Sequence, residues 1–238
     1  SVKSLTFLGD MFDGVQCPCI LLQLIATGKP LSTAGMMIED RTRTYTIAME
    51  RTVVPENFSF RMTDEEYRVL EKIKNSIPVC YLADHADFAL GIVTGNNKKF
   101  LSAEKTENSE MVLKGTDICK YHINPVKQYL RFEPEQFQQV APLEIYRAPE
   151  KLLYRFISNQ LVVAYDDRQM LSLNSCNIVI PKIEGMQIKY ILAILNSSVS
   201  QFVYQKEFHS IKVLRAHMEH IPIPRVGKAI QNEIIAMT

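Results

Sequence analysis

The sequence predicts an α+β chain whose middle is β-rich and whose helices pack against it. Three observations carry this. Between residues 88 and 181, short apolar runs alternate with Gly, Asn, Asp, Ser and Pro, the punctuation of short strands. Residues 63–75 and 187–204 instead place apolar residues every three to four positions, the period of a helix on a core. With 47% hydrophobic and 22% charged content over 238 residues, a core needs no metal or disulfide to hold it.

In order, residues 2–8 are largely apolar, Gly9-Asp10 and Asp13-Gly14 are turn signals, and residues 17–25 read as a buried strand. A chain that opens abruptly on a strand is expected to start inside a larger protein. Residues 27–60 are rich in Thr, Gly, Pro and charge and predict a crossing segment with one strand at 44–49. Thr63 and Glu66 make a capping box, with Asp64 and Glu65 in the positive first turn of a helix. Tyr67, Leu70 and Ile73 give that helix one packing face, and Asn75 with Pro78 ends it. Residues 88–94 form a strand into a polar loop and 99–102 a strand out of it. Residues 103–110 read as an exposed linker, and 112–121 as a turn followed by a strand. Residues 152–157 and 161–165 pair as a hairpin through Ser158-Asn159, ended by Asp166-Asp167; a strand at 177–180 precedes Pro181. Residues 187–204 predict one long helix with Ile188, Ile191, Leu192, Leu195, Val199 and Phe202 on its packing face. A short helix at 211–219, broken by Ile221-Pro222-Ile223-Pro224, and an amphipathic helix at 227–237 complete the chain.

The net charge of +1 counts against a strongly basic, partner-seeking surface, but the average hides a pattern. Residues 91–131 hold seven Lys or Arg against four acids, residues 182–228 seven against three, and residues 132–181 four against six. Positive charge collects in two stretches. Cys17, Cys19, Cys80, Cys119 and Cys176 are odd in number and contain no CxxC pair, so buried, reduced thiols of a cytoplasmic protein are expected. The longest apolar run, residues 20–26, is interrupted by Gln23 and is too short to span a membrane.

No phosphate-binding glycine motif and no Ser- or Cys-centred triad is written in the chain, and no catalytic residue is assigned. Asp84, His85 and Asp87, with Asp166, are the one set of ligand types that suggests a metal-dependent nuclease, against a plain polar turn after Leu82. His217 and His220 share a helix face without forming HExxH, and no metal site is assigned. What remains are polar residues that read or grip. In GIVTGNNKKFL, residues 91–101, the amides of Asn96 and Asn97 suit bidentate pairing with adenine, and Lys98 and Lys99 suit phosphates. Lys206, His209, Lys212 and Arg215 follow one another at intervals of three, a stripe on a continuous helix. A solvated surface is the bland account of both clusters.

GIVTGNNKKFL, KGTDICKY, the hairpin ending in YDD, and LAILNSSVSQFVYQKEFHSIKVLRAHMEHIPIP follow in an order that resembles the TaqI-like C-terminal specificity domain of N6-adenine DNA methyltransferases and combined restriction-modification enzymes. The likeness covers roughly residues 65–225. FLGDMFDGVQCPCILLQL resembles the last strands of that family's catalytic domain, so residues 1–60 are expected to be its end and a connector, and residues 61–238 the target-recognition domain. The family's Asn-Pro-Pro-Tyr motif is missing; Asn124-Pro125-Val126 does not supply it. The resemblance therefore implies a non-catalytic recognition module. Its partners would be double-stranded DNA and an upstream methyltransferase domain of the same polypeptide, where S-adenosylmethionine would bind. It needs no cofactor or membrane itself. The parent would flip an adenine from the duplex, and this domain would read base edges in the major groove. The residues themselves, not the family, supply the candidates, Asn96 and Asn97 as readers and Lys98, Lys99, Lys212 and Arg215 as phosphate or guanine contacts. A protein-interaction module using the IPIP segment and the terminal helix, or a nuclease fragment, are the alternatives.

Overall fold

The computed structural model describes residues 2–15, 17–26, 28, 32–51, 60–208 and 210–238. The chain divides into two compact units, residues 1–73 and 74–238.

The first unit is a four-stranded sheet in the order β2-β1-β3-β4, made of β1 (Val2–Asp10), β2 (Pro18–Leu24), β3 (Met36–Glu39) and β4 (Thr44–Ile47). β1 and β2 form the expected hairpin, and β3, which the sequence reading missed, pairs parallel to β1. Leu5, Met36, Ile38, Ile47 and Phe60 make the core. The expectation that residues 17–25 are buried is wrong. β2 is an edge strand whose Ile20 and Leu24 are 58% and 66% exposed, because the core forms from β1, β3 and β4. Cys17, beside it, is exposed and not a buried thiol. Helix α1 (Asp64–Asn75) starts on its capping box: Thr63 N donates to Glu66 Oε2 at 2.8 Å and Glu66 N to Thr63 Oγ1 at 3.3 Å.

In the second unit the elements are β5 (Val79–Cys80), β6 (Ala86–Ala89), α2 (Asn97–Phe100), β7 (Leu101–Ser102), β8 (Ser109–Leu113), β9 (Tyr129–Arg131), α3 (Leu143–Tyr146), β10 (Lys151–Arg155), β11 (Val163–Asp166), β12 (Leu171–Ser172) and β13 (Cys176–Pro181). α4 (Ile188–Asn196), α5 (Ser198–Glu207), α6 (Arg215–Glu219), β14 (Ile223–Pro224) and α7 (Lys228–Ala236) follow. One sheet has the order β11-β10-β13-β6, a second β12-β8-β9-β7, and β14 pairs with β5. Val112, Leu113 and Leu130 of the second sheet share a buried cluster with Leu153, Ala164 and Ile178 of the first. Each of the Val, Leu and Ile side chains among them contributes about 1.5–3 kcal/mol when fully buried. α4 packs on β10 and β11.

The hairpin at 152–165 forms as expected, and its end carries a buried ion pair. Lys151 Nζ lies 2.6 Å from Asp166 Oδ2, both side chains being fully buried. Asp166 also accepts the Arg168 and Met170 amides at 2.9 Å, and Lys151 donates to the Tyr146 carbonyl at 2.6 Å. Asp166 is thus part of the core.

The single helix expected at 187–204 is two. Buried Asn196 stops the first: its Oδ1 accepts from Val163 N at 3.1 Å and its Nδ2 donates to Val163 O at 2.9 Å, completing the edge of β11. Ser197 then caps α5, accepting from Ser200 N at 3.1 Å. The order expected at 112–121 is also inverted: β8 comes first, then a 3-10 turn at Gly115–Asp117. Among the described residues, no helix is long and apolar enough to cross a membrane.

Candidate nucleic-acid interface

β6 and β10 each run antiparallel to β13, and Ala89 and Leu153 both face Ile178. The chain therefore leaves Ala89 and Arg155 at the same end of the sheet. The segments that carry the two polar clusters are rooted there, one at Gly91 and Ile92 after β6, the other at residues 156–158 after β10, which bond residues 211–213.

The first cluster is fixed at its root by glycine. A Cβ on Gly91 would stand 2.1 Å from the Leu173 carbonyl oxygen and 2.7 Å from that of Cys176, so no other residue fits. Gly91 N donates to Asn177 Oδ1 at 3.2 Å, and Ile92 N to Ser172 O at 2.7 Å. The chain then turns outward. Val93 exchanges backbone hydrogen bonds with Gln139 at 2.9 and 3.0 Å, and Gly95 takes a left-handed φ of +74°.

The tip expected as a loop is one helical turn, α2. Asn96 caps it, its Oδ1 accepting from Lys99 N at 3.3 Å. Buried Thr94 donates its hydroxyl to Asn97 Oδ1 at 2.6 Å. Each amide oxygen thus already serves the turn. Asn at the first position of a turn was a readable cap signal that the sequence reading passed over. Lys98 is exposed, whereas Lys99 Nζ is drawn to Gln136 Oε1 at 2.7 Å and lies 4.7 Å from the centre of the Phe100 ring. Phe100 closes the turn, edge-on to Phe137 at 5.2 Å.

The second cluster does not lie on one helix. α5 ends at Glu207, so Lys206 sits on its last turn, with Nζ 5.9 Å from the centre of the Phe202 ring. His209 lies outside the described residues. Residues 210–214 run extended, because the backbone at 211 and 213 bonds to the segment after β10: Ser158 N to Ile211 O at 2.9 Å and Val213 N to Phe156 O at 2.7 Å. Lys212 bridges to Ile157 and is exposed. Arg215 opens α6, its guanidinium 5.2 Å from the Phe88 ring centre and its Nε 2.7 Å from Glu219 Oε1. The three-residue spacing therefore makes no helical stripe. Lys212 and Arg215 are placed at the sheet end by strand pairing and a cation–π contact.

His217, which the sequence reading treated as a surface residue, is the anchor of this segment. Its Nδ1 accepts from Leu214 N at 3.2 Å, and its ring stacks on Phe208 at 4.6 Å. Burial pushes its pKa below the ordinary imidazole value. His220 instead bonds the Ala216 carbonyl at 2.7 Å through Nδ1.

The ligand types considered for a nuclease do not converge. Asp87 pairs with Lys182, Asp84 occupies a left-handed turn position, and Asp166 is committed to Lys151. Among the described residues, no group of three His, Cys, Asp or Glu is placed to hold a metal.

A scan against protein families matches residues 110–223 to the TaqI-like C-terminal specificity domain. Residues 110–223, just under half of the chain, are thus similar to that domain. The match contains the 3-10 turn, the YDD hairpin, the Asn-Ser-Ser break and the Lys212–Arg215 segment; residues 91–101 lie before it. A search of curated proteins found no match. Among solved structures, the fold is similar to that of the type IIL restriction-modification enzyme MmeI, determined in complex with DNA: TM-score 0.58, 10% identity, 99% of this chain and 37% of that one. The HsdS subunit from Thermoanaerobacter tengcongensis matches with TM-score 0.46 and 14% identity over 73% of this chain and 41% of that one. A chain of a type I R-M system matches with TM-score 0.47 and 14% identity over 73% and 43%. The chain thus spans less than half the length of these proteins. The TaqI-like specificity domain is a DNA-recognition part of restriction-modification systems, and it is non-catalytic in itself.

Proposed function

We propose that residues 74–238 read duplex DNA as the specificity part of an N6-adenine DNA methyltransferase or a combined restriction-modification enzyme. The observation that carries this reading is that the segments bearing the two basic clusters are rooted at the same end of the β11-β10-β13-β6 sheet, one of them inside the specificity-domain match. Lys98 and Lys212 are exposed, and the Arg215 guanidinium lies over Phe88, 5.2 Å from its ring centre. Cations on rigid supports suit phosphates, and the turn at 96–99 is narrow enough to enter a major groove. Asn96 and Asn97 shape that turn first, and their second role as readers uses the amide nitrogens and the remaining oxygen lone pairs.

Catalysis, S-adenosylmethionine and cleavage, if any, belong to the rest of the parent protein, since this chain has neither the Asn-Pro-Pro-Tyr nor the glycine motif. The upstream methyltransferase domain is the proposed partner of the first unit, whose edge strand β2 exposes Ile20, Leu21, Leu22 and Leu24. The proposed site of action is the cytoplasm. Fluorescence anisotropy with the full-length protein and a duplex containing its target, at low salt, tests the reading. Saturable binding that weakens steeply with salt is expected. Absence of binding across salt concentrations would reject it.

A further inference from the structure

The loop at 93–99 does not stand alone at the sheet end. Residues 136–139 lie beside it, in a Gln-rich stretch that the sequence reading left without a role. Val93 and Gln139 exchange both backbone bonds, and Phe137 packs edge-on to Phe100 at 5.2 Å and to Phe132 at 5.8 Å. Backbone and aromatic contacts together clamp the two segments into one platform. On it, the side-chain amides differ in how far they are already committed. Gln136 is spent at both ends: Oε1 accepts from Lys99 Nζ at 2.7 Å and Nε2 donates to Glu133 Oε2 at 2.6 Å. Asn96 and Asn97 each hold one oxygen in the turn.

Gln138 is different. It is exposed, its amide has no hydrogen-bond partner among the described residues, and its Cβ lies 3.4 Å from where a Gly95 side chain would begin. It therefore sits against the left-handed turn that carries Asn96 to Lys99.

We propose that Gln138 is a specificity-determining residue of this surface, reading an adenine through both atoms of its amide; the proposal rests on the DNA-recognition reading above. Adenine offers an acceptor at N7 and a donor at N6 in the major groove, the complement of a glutamine amide. A rigid platform loses little freedom when that amide binds, and an amide with no internal partner breaks nothing to do so.

The test is selection of bound duplexes from a randomised library by the full-length protein, wild type against Gln138→Ala and Gln138→Glu, followed by sequencing. Gln138 is exposed, so neither change disturbs the core. Gln138→Ala should lose preference at one A·T position by about 5- to 150-fold while the rest of the motif stays. Gln138→Glu should move that position towards cytosine, whose N4 donates to a carboxylate. If Gln138→Ala enriches the wild-type motif at wild-type strength, or weakens every position equally, the proposal fails and DNA recognition stands. If the wild-type protein enriches no motif, both fall.

Discussion

Replacing Gly91 by alanine puts a methyl carbon 2.1 Å from the Leu173 oxygen, 2.3 Å from its carbonyl carbon and 2.7 Å from the Cys176 oxygen. All three are backbone atoms of a well-bonded segment, so no side chain can swing away to make room. Either the 172–176 backbone or the root of the 91–101 loop must move by about 1 Å to restore van der Waals separation. That movement strains the Ile92 N to Ser172 O and Asn174 N to Ile92 O bonds, now 2.7 and 3.1 Å, and the Gly91 N to Asn177 Oδ1 bond of 3.2 Å. Overpacking costs about 1–3 kcal/mol and each weakened bond about 0.5–1.5 kcal/mol, so a loss of roughly 3–5 kcal/mol is expected. For a unit of this size that is on the order of 6–20 °C in Tm. Gly95→Ala is the internal comparison: the added Cβ meets Gln138 only in ordinary contact, at 3.4 Å, and the cost is the left-handed φ alone, about 1–2 kcal/mol. Differential scanning calorimetry of both variants decides it. A Gly91→Ala protein melting within 2 °C of wild type, or above Gly95→Ala, would refute the clash argument.

Three further perturbations follow from the same geometry. Lys98→Ala and Lys212→Ala should each weaken duplex binding whatever the sequence and lower the slope of log K against log salt by about 0.9, with Lys99→Ala less effective because its ammonium is held by Gln136; anisotropy across a salt series measures this. Asp166→Asn leaves the Lys151 ammonium buried against a neutral amide and should cost about 3–5 kcal/mol in urea unfolding, whereas Lys151→Met combined with Asp166→Leu should recover much of it. His217 has a folded pKa below its unfolded value, so its contribution is intact above pH 6.5 and is lost as pH falls below that, when the unfolded chain takes up the proton first. Protonation also turns the Nδ1 acceptor of Leu214 N into a donor, so duplex affinity should fall once pH drops through the lowered folded pKa, and His217→Phe should flatten the pH dependence of unfolding below pH 6.5.

Elements whose signals are local could be read in the sequence. The capping box at Thr63 and Glu66, the 152–165 hairpin and the terminal helix all depend on residues a few positions apart. The failures share a different cause. The apolar period of 187–204 continues through Asn196 and Ser197, and the helix breaks because Asn196 meets Val163, 33 positions away. β2 carries the composition of a buried strand, and its exposure is decided by what covers the sheet edge, which its own residues do not encode. β3 alternates buried and exposed residues over only four positions, too few for a period to stand out. For the site, the chemistry of Asn96 to Lys99 was legible but the division of labour was not. Whether an amide oxygen caps a turn or faces outward is set by Thr94 and Lys99 N, and the uncommitted amide at Gln138 is brought alongside by pairing across 46 residues, from Val93 to Gln139.

The net charge of +1 argued against a nucleic-acid partner, and the arrangement of the charges removes the objection. A phosphate senses charges within a Debye length, about 8–10 Å at physiological salt, so the face and not the sum decides attraction. Near Arg155 and Arg215, two acids are engaged: Asp117 Oδ2 accepts from Lys114 N at 2.8 Å, and Glu219 neutralises Arg215. Among the described residues Lys98 and Lys212 have no ion pair, and they stand one on each cluster. Arg215, with Glu219 beside it and Phe88 beneath, brings shape and a planar donor surface more than net charge. Attraction should therefore come from a few well-placed lysines, which predicts modest non-specific affinity. A surface that holds DNA weakly outside its target leaves discrimination to the amides of Asn96, Asn97 and Gln138.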